Sequence, residues 1–113
     1  MADHITIRPA DGTWVVRAGG AVLGESTRAL KLTEGDDPPV VYFPRDDIAM
    51  TFLDAADDST TSPDKGQVSH FSIVAKNGTI RNAAWSYEDP KDSLAQIKGY
   101  LAFYTDKVAV EQV

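Results

Sequence analysis

The dipeptide Asn77-Gly78 lies between two runs that read as strands, residues 67–75 and 79–87, and it places an antiparallel hairpin in the second half of the chain. Asn followed by Gly best tolerates positive φ at both central positions of a type I′ turn, whose twist matches that of the flanking strands. A two-residue loop there pairs Lys76 with Thr79, and stepping back pairs Val74 with Arg81, His70 with Trp85 and Val68 with Tyr87. Cross-strand partners share a face. One face then carries Phe71, Ile73, Ala75, Ile80 and Ala84, broken by Asn82 and Ser86, and reads as core. The other mixes His70, Ser72, Arg81, Trp85 and Tyr87 with Val68, Val74 and Ala83, and reads as a candidate recognition surface. Asn77-Gly78-Thr79 also spells a glycosylation sequon, which in a chain without an export signal is simply a turn.

Further strands precede the hairpin. Thr13-Trp14-Val15-Val16-Arg17 is β-branched and aromatic, Gly19-Gly20 suits a tight turn, and Ala21-Val22-Leu23 returns. Ala29-Leu30-Lys31-Leu32-Thr33 and Val40-Val41-Tyr42-Phe43 flank a segment dense in turn residues, Glu34-Gly35-Asp36-Asp37-Pro38-Pro39. Pro44 ends the second of these strands because it has no N–H for a ladder, and Arg45-Asp46-Asp47-Ile48 suits a helical turn. Residues 49–53 fit strand or helix. Residues 54–64 have almost nothing to bury and read as the longest loop. Asp54, Asp57 and Asp58 in it lie at offsets of three and four, which is not the alternate spacing of a calcium loop.

One short α-helix is expected over residues 90–98. Asp89 can cap it, Pro90 suits its first position, Asp92 complements its dipole, and Leu94, Ile97 and Leu101 recur at helical spacing until Gly99. Beyond Gly99, residues 100–104 also fit a strand, and Val108-Ala109-Val110 another.

With 113 residues the chain fits one domain, residues 1–113, burying roughly two thirds of its unfolded surface. The absence of cysteine removes disulfides, Cys-ligated zinc, iron–sulfur clusters and thiol nucleophiles together. Eleven basic against 17 acidic residues give a net charge of −6, and the basic ones are scattered singly. No nucleic-acid footprint is therefore expected, since that affinity rests on clustered Lys and Arg. The N-terminus lacks the basic and apolar pattern of a secretory signal and no segment has the length of a bilayer span, so the expectation is a cytoplasmic protein with no membrane partner. No metal site and no cofactor are indicated.

Four separated motifs taken in order resemble domain-of-unknown-function family 427, which has also carried a nucleotidyltransferase-like label. They are Val41-Tyr42-Phe43-Pro44-Arg45, Ser62-Pro63-Asp64-Lys65-Gly66, Asn82-Ala83-Ala84-Trp85-Ser86-Tyr87 and Ile97-Lys98-Gly99-Tyr100-Leu101-Ala102-Phe103-Tyr104. The resemblance implies a mainly β domain of the β-tent architecture shared with Mss4-like proteins. It implies no established reaction. Members commonly have Cys where this chain has Ser62, so thiol chemistry imagined for that loop is not available here. Nucleotidyl transfer needs closely set carboxylates holding Mg²⁺ beside a phosphate cradle. No Gly-rich phosphate loop is present, and the adjacent Asp46 and Asp47 diverge on either a strand or a helix.

The candidate ligand-binding residues are Tyr42, Arg45, Lys65, His70, Trp85 and Tyr87. Arg45 and Lys65 offer positive charge, the aromatic rings offer stacking faces, and His70 can carry a proton near neutrality. Tyr100 and Tyr104 extend the aromatic set. Two readings follow: a pocket of these residues, gated by residues 54–66, that takes a small anionic or nucleotide-like molecule, or a non-enzymatic interaction or homo-oligomerisation module using a sheet edge or the mixed face of the hairpin.

Overall fold

A computed structural model describes residues 5–18, 21–62, 66–75 and 78–113. Among the described residues, ten strands form three antiparallel sheets. The first sheet has the order β1-β4-β5, from Ile5–Pro9, Leu30–Glu34 and Val40–Tyr42. The second has the order β10-β2-β3, from Ala109–Gln112, Trp14–Ala18 and Ala21–Ser26. The third has the order β6-β7-β8-β9, from Leu53–Ser62, Gly66–Ala75, Gly78–Pro90 and Leu101–Phe103. The mainly β expectation is met. Strand β1 carries no strong pattern in the sequence and is an addition.

Two backbone seams join the sheets. Phe43 N–H donates to Leu101 O at 2.7 Å and Leu101 N–H returns to Phe43 O at 2.8 Å, fixing β5 beside β9. Gly24 bridges Ile48, and Ala49 N–H donates to Leu23 O at 2.7 Å, bringing the second sheet against the 3-10 turn Arg45–Asp47. That turn is the helical turn expected after Pro44.

The β7–β8 hairpin packs on both faces. Phe71, Ile73 and Ala84 join Val16, Leu23, Phe43, Ile48, Leu101 and Phe103 in the larger core. Val68 and Tyr87, on the opposite face, join Leu32, Tyr42, Leu94, Ile97 and Ala102 in a smaller one. The face expected to be a recognition surface is therefore half core. Its register keeps the expected pairs His70 with Trp85 and Val68 with Tyr87, but near the turn Thr79 pairs with Val74 instead of Lys76. Lys76 and Asn77 lie outside the described residues. The difference is absorbed by a register shift between Phe71 and Ile73, where Asn82 takes φ 51° and Ala83 and Ala84 both enter the larger core.

Two expectations are corrected. Residues 54–64 are not a loop as far as Ser62: β6 pairs with β7 from Leu53 with Ile73 to Ser62 with Gly66. An edge strand pairs one side of its backbone in the ladder and leaves the other to water, so a polar sequence can form it. The α-helix expected over residues 90–98 is a 3-10 segment, Asp92–Ile97, kinked at Leu94 with φ −115°. Asp89 and Pro90 pair with Gln67 and Gly66 as the end of β8, so neither caps nor starts a helix. Leu94 and Ile97, both fully buried, are three residues apart, a spacing that a three-residue turn stacks directly. Gly99 ends this segment at φ +77°, in the left-handed region that glycine adopts without strain.

A polar tie holds the 45–47 turn to β3. Buried Ser26 donates its hydroxyl to Asp47 Oδ2 at 2.6 Å, and Arg28 Nη2 donates to Oδ1 at 3.0 Å. The Ser26 hydrogen bond first, and the Arg28 bond after it, hold the Asp47 carboxyl below the usual carboxylate range. A carboxylate depressed in the folded state stabilises above its unfolded pKa of about 3.9 and loses that contribution as pH falls through the folded value. Urea titrations between pH 6 and pH 2.5 are expected to show a steeper acid loss for the wild type than for Asp47→Asn. Parallel curves would show that Asp47 is not linked to folding.

Candidate aromatic groove

The groove is built by register. Trp85 and Tyr87 are two residues apart on β8 and share a face, and β7 sets His70 opposite Trp85 and Val68 opposite Tyr87. The seam between Phe43 and Leu101 brings neighbouring Tyr42 over the same face, and Tyr104 follows directly on β9. Trp85 Nε1–H donates to the Tyr42 hydroxyl at 3.2 Å, with the two rings edge to face at 6.2 Å. Tyr104 lies on Trp85 with centroids 4.5 Å apart, and Tyr87 lies 6.4 Å from Tyr42. Burial, reinforced by Tyr87, pushes the Tyr42 phenol well above its ordinary pKa, so Tyr42 is a neutral hydrogen-bonding group and not a phenolate base.

Three cavities meet on these rings. One of about 350 Å³ is lined by Tyr42, His70, Trp85, Tyr87 and Tyr104. A larger one of about 590 Å³ is lined by Trp14, Val40, Val41, Trp85, Phe103 and Tyr104, with Lys31 and Asp106 also on its walls. The third, about 390 Å³, is lined entirely by residues with polar or charged groups, His70, Asn82, Tyr104, Asp106 and Lys107. Tyr104 borders all three. The volumes fall in the range of small-molecule sites.

Four of the six candidates therefore come together: Tyr42, His70, Trp85 and Tyr87. Arg45 stands apart. Its Nε donates to Gly99 O at 3.1 Å and its Nη2 to Ser86 Oγ at 3.2 Å and Glu88 Oε1 at 2.7 Å, while the guanidinium lies 5.5 Å from the Phe71 ring centre. These partners make it a tie between the 45–47 turn and β8. Lys65 lies outside the described residues, as do Pro63 and Asp64, so the anion loop expected there is not placed. Asn82 and Lys107 were not singled out by sequence reasoning. The available signal was Asn82, a polar residue interrupting an otherwise apolar strand face. Among the described residues, no three His, Asp or Glu side chains are grouped to hold a metal ion. Among those residues, too, no helix is long and apolar enough to cross a membrane.

A family model described as a domain of unknown function, DUF427, matches residues 6–113. The chain belongs to this family. The match takes in every strand of the DUF427 domain except the first residue of β1, and thus the whole aromatic groove. No curated protein matches the chain.

Proposed function

We propose that this DUF427 domain binds a small ring-bearing ligand, anionic or nucleotide-like, in the aromatic groove. The observation that carries the reading is the meeting of three cavities on Tyr104, with Trp85 bordering two of them and His70 shared by two. Aromatic rings with one polar tip favour a planar guest, and the Tyr42–Trp85 hydrogen bond pre-sets the wall so that little ordering accompanies binding. The domain is further read as a member of the β-tent, Mss4-like architecture, acting in the cytoplasm. Support for that architecture is the arrangement of separate antiparallel sheets meeting on one hairpin.

The competing reading is a self-association or interaction module. Strand β6 ends the four-stranded sheet, but its sequence contains Asp54, Asp57 and Asp58 and its pairing breaks between Ala55 and Ser59, features that discourage edge-to-edge addition. A monomer is therefore the expected result of light scattering.

The deciding experiment is a thermal-shift screen of nucleosides, nucleotides, sugar phosphates and aromatic carboxylates. At least one ring compound is expected to raise the melting temperature. Tyr104→Ala, which removes an exposed ring without touching a buried side chain, is expected to weaken that compound by about ten-fold or more with the fold intact. A screen with no stabilising ring compound rejects the ligand reading and leaves the interaction module.

A further inference from the structure

We infer that the cavity between Tyr104 and Lys107 is a head-group subsite selecting a single carboxylate over a phosphate, so that the ligand class is an aromatic carboxylic acid. This rests on the groove being a ligand site.

Charge is the first ground. Across the three cavities the formally charged lining residues are Lys31, Lys107, Glu34 and Asp106, two cations against two carboxylates. Sites for dianionic or polyanionic groups concentrate positive charge or backbone N–H groups, which this balance does not supply. In the head-group cavity one cation, Lys107, stands with one carboxylate, Asp106. A monoanion can pair with Lys107 and accept from His70 or Asn82, whereas a second negative charge in the same space meets Asp106.

Geometry is the second. Lys107 Nζ donates to Arg81 O at 3.0 Å and Asn82 O at 3.4 Å, which holds the ammonium in place and leaves one of its three N–H donors for a guest. The same ammonium lies 5.8 Å from the Tyr104 ring centre, so the head-group cation and the stacking ring are neighbours. Asn82 sits at φ 51°, the one non-glycine residue with positive φ among the described residues, and its N–H is held by Ser72 Oγ at 3.2 Å. Backbone in such a conformation inside a strand persists where the surroundings fix it, and it sets Asn82 on the cavity wall.

The test uses one ring with three head groups: 2-naphthylacetate, 2-naphthylmethanol and 2-naphthyl phosphate. They are titrated at pH 8, where the phosphate is a dianion, by calorimetry and by amide NMR shifts of the full chain. The carboxylate is expected to bind at least ten-fold tighter than either the alcohol or the phosphate, with shifts at Asn82 and the Trp85 indole. Lys107→Gln should abolish the preference for acid over alcohol. Because Lys107 also holds the bulge, Asp106→Asn is the second variant, and it is expected to tighten the phosphate about five-fold with little change for the alcohol. Equal affinity for all three compounds, or tightest binding of the phosphate, overturns the subsite while the ring site stands. If none of the three binds although the wider screen yields a ring ligand, the carboxylate class is likewise overturned. No binding by any ring compound overturns both.

Discussion

Replacing Phe43 by alanine is expected to lower the unfolding free energy by about 3–5 kcal/mol, the range for deleting a fully buried aromatic ring. Phe43 is 0% exposed and stands at the seam between two sheets, with its ring edge-on to Phe103 at 6.0 Å. Its backbone exchanges both hydrogen bonds with Leu101, and these survive the substitution, so the neighbours are held apart and the vacated volume stays a cavity. Domains of this size are stable by about 5–15 kcal/mol, so the loss is a large share of the total. Urea denaturation should show the midpoint fall with an unchanged slope, and the melting temperature should drop on the order of 15 °C. A loss under about 1 kcal/mol would mean that the seam relaxes to fill the gap, contrary to the packing described.

Gly24→Ala is expected to cost about 2–3 kcal/mol although it adds one methyl group. A Cβ there would lie 2.5 Å from Asp47 O and 2.6 Å from Ile48 Cδ1. The Ile48 methyl can rotate away, but Asp47 O belongs to the backbone beside the Gly24–Ile48 bridge. Moving it strains the Leu23–Ala49 hydrogen bond and the Ser26–Asp47 contact together. Alanine in place of glycine also lowers the entropy of the unfolded chain, an offset of about 0.4–1 kcal/mol that the overlap exceeds. Chemical denaturation of this variant beside Val22→Ala, a change at an exposed neighbour, checks the argument. A neutral or stabilising Gly24→Ala would show that the turn is free to move off β3.

The parts of the fold legible in the sequence are those governed by local chemistry. The alternation along residues 67–75 and 79–87 gave the two faces of the central hairpin, and the pairs His70 with Trp85 and Val68 with Tyr87 hold. The register near the turn is not legible, because in the sequence Asn82 is one polar residue on an apolar face, whereas in the fold it lies in a bulge that shifts the ladder. Strand β6 is not legible because an edge strand is fixed by the backbone it pairs with, and its own side chains need not announce it. The 92–97 segment goes the same way: the spacing of Leu94 and Ile97 is legible, but β8 claims Asp89 and Pro90, the expected cap and first position, and the turn that remains is 3-10.

The site divides along the same line. Composition without cysteine removed thiol and Cys-ligated metal chemistry outright, since no tertiary arrangement restores an absent atom. The residue types also marked Tyr42, His70, Trp85 and Tyr87 as candidates, because rings with polar tips are suited to recognition wherever they fall. Only the tertiary structure separated Arg45 from them, by turning its guanidinium to Gly99, Ser86 and Glu88, and only it brought Lys107 and Asp106 to the groove. The physical reason is distance along the chain. Alternation and turn chemistry act over a few residues, whereas the Phe43–Leu101 seam that sets Tyr42 over Trp85 joins segments separated by about half of the chain, and it forms only when the whole core has packed.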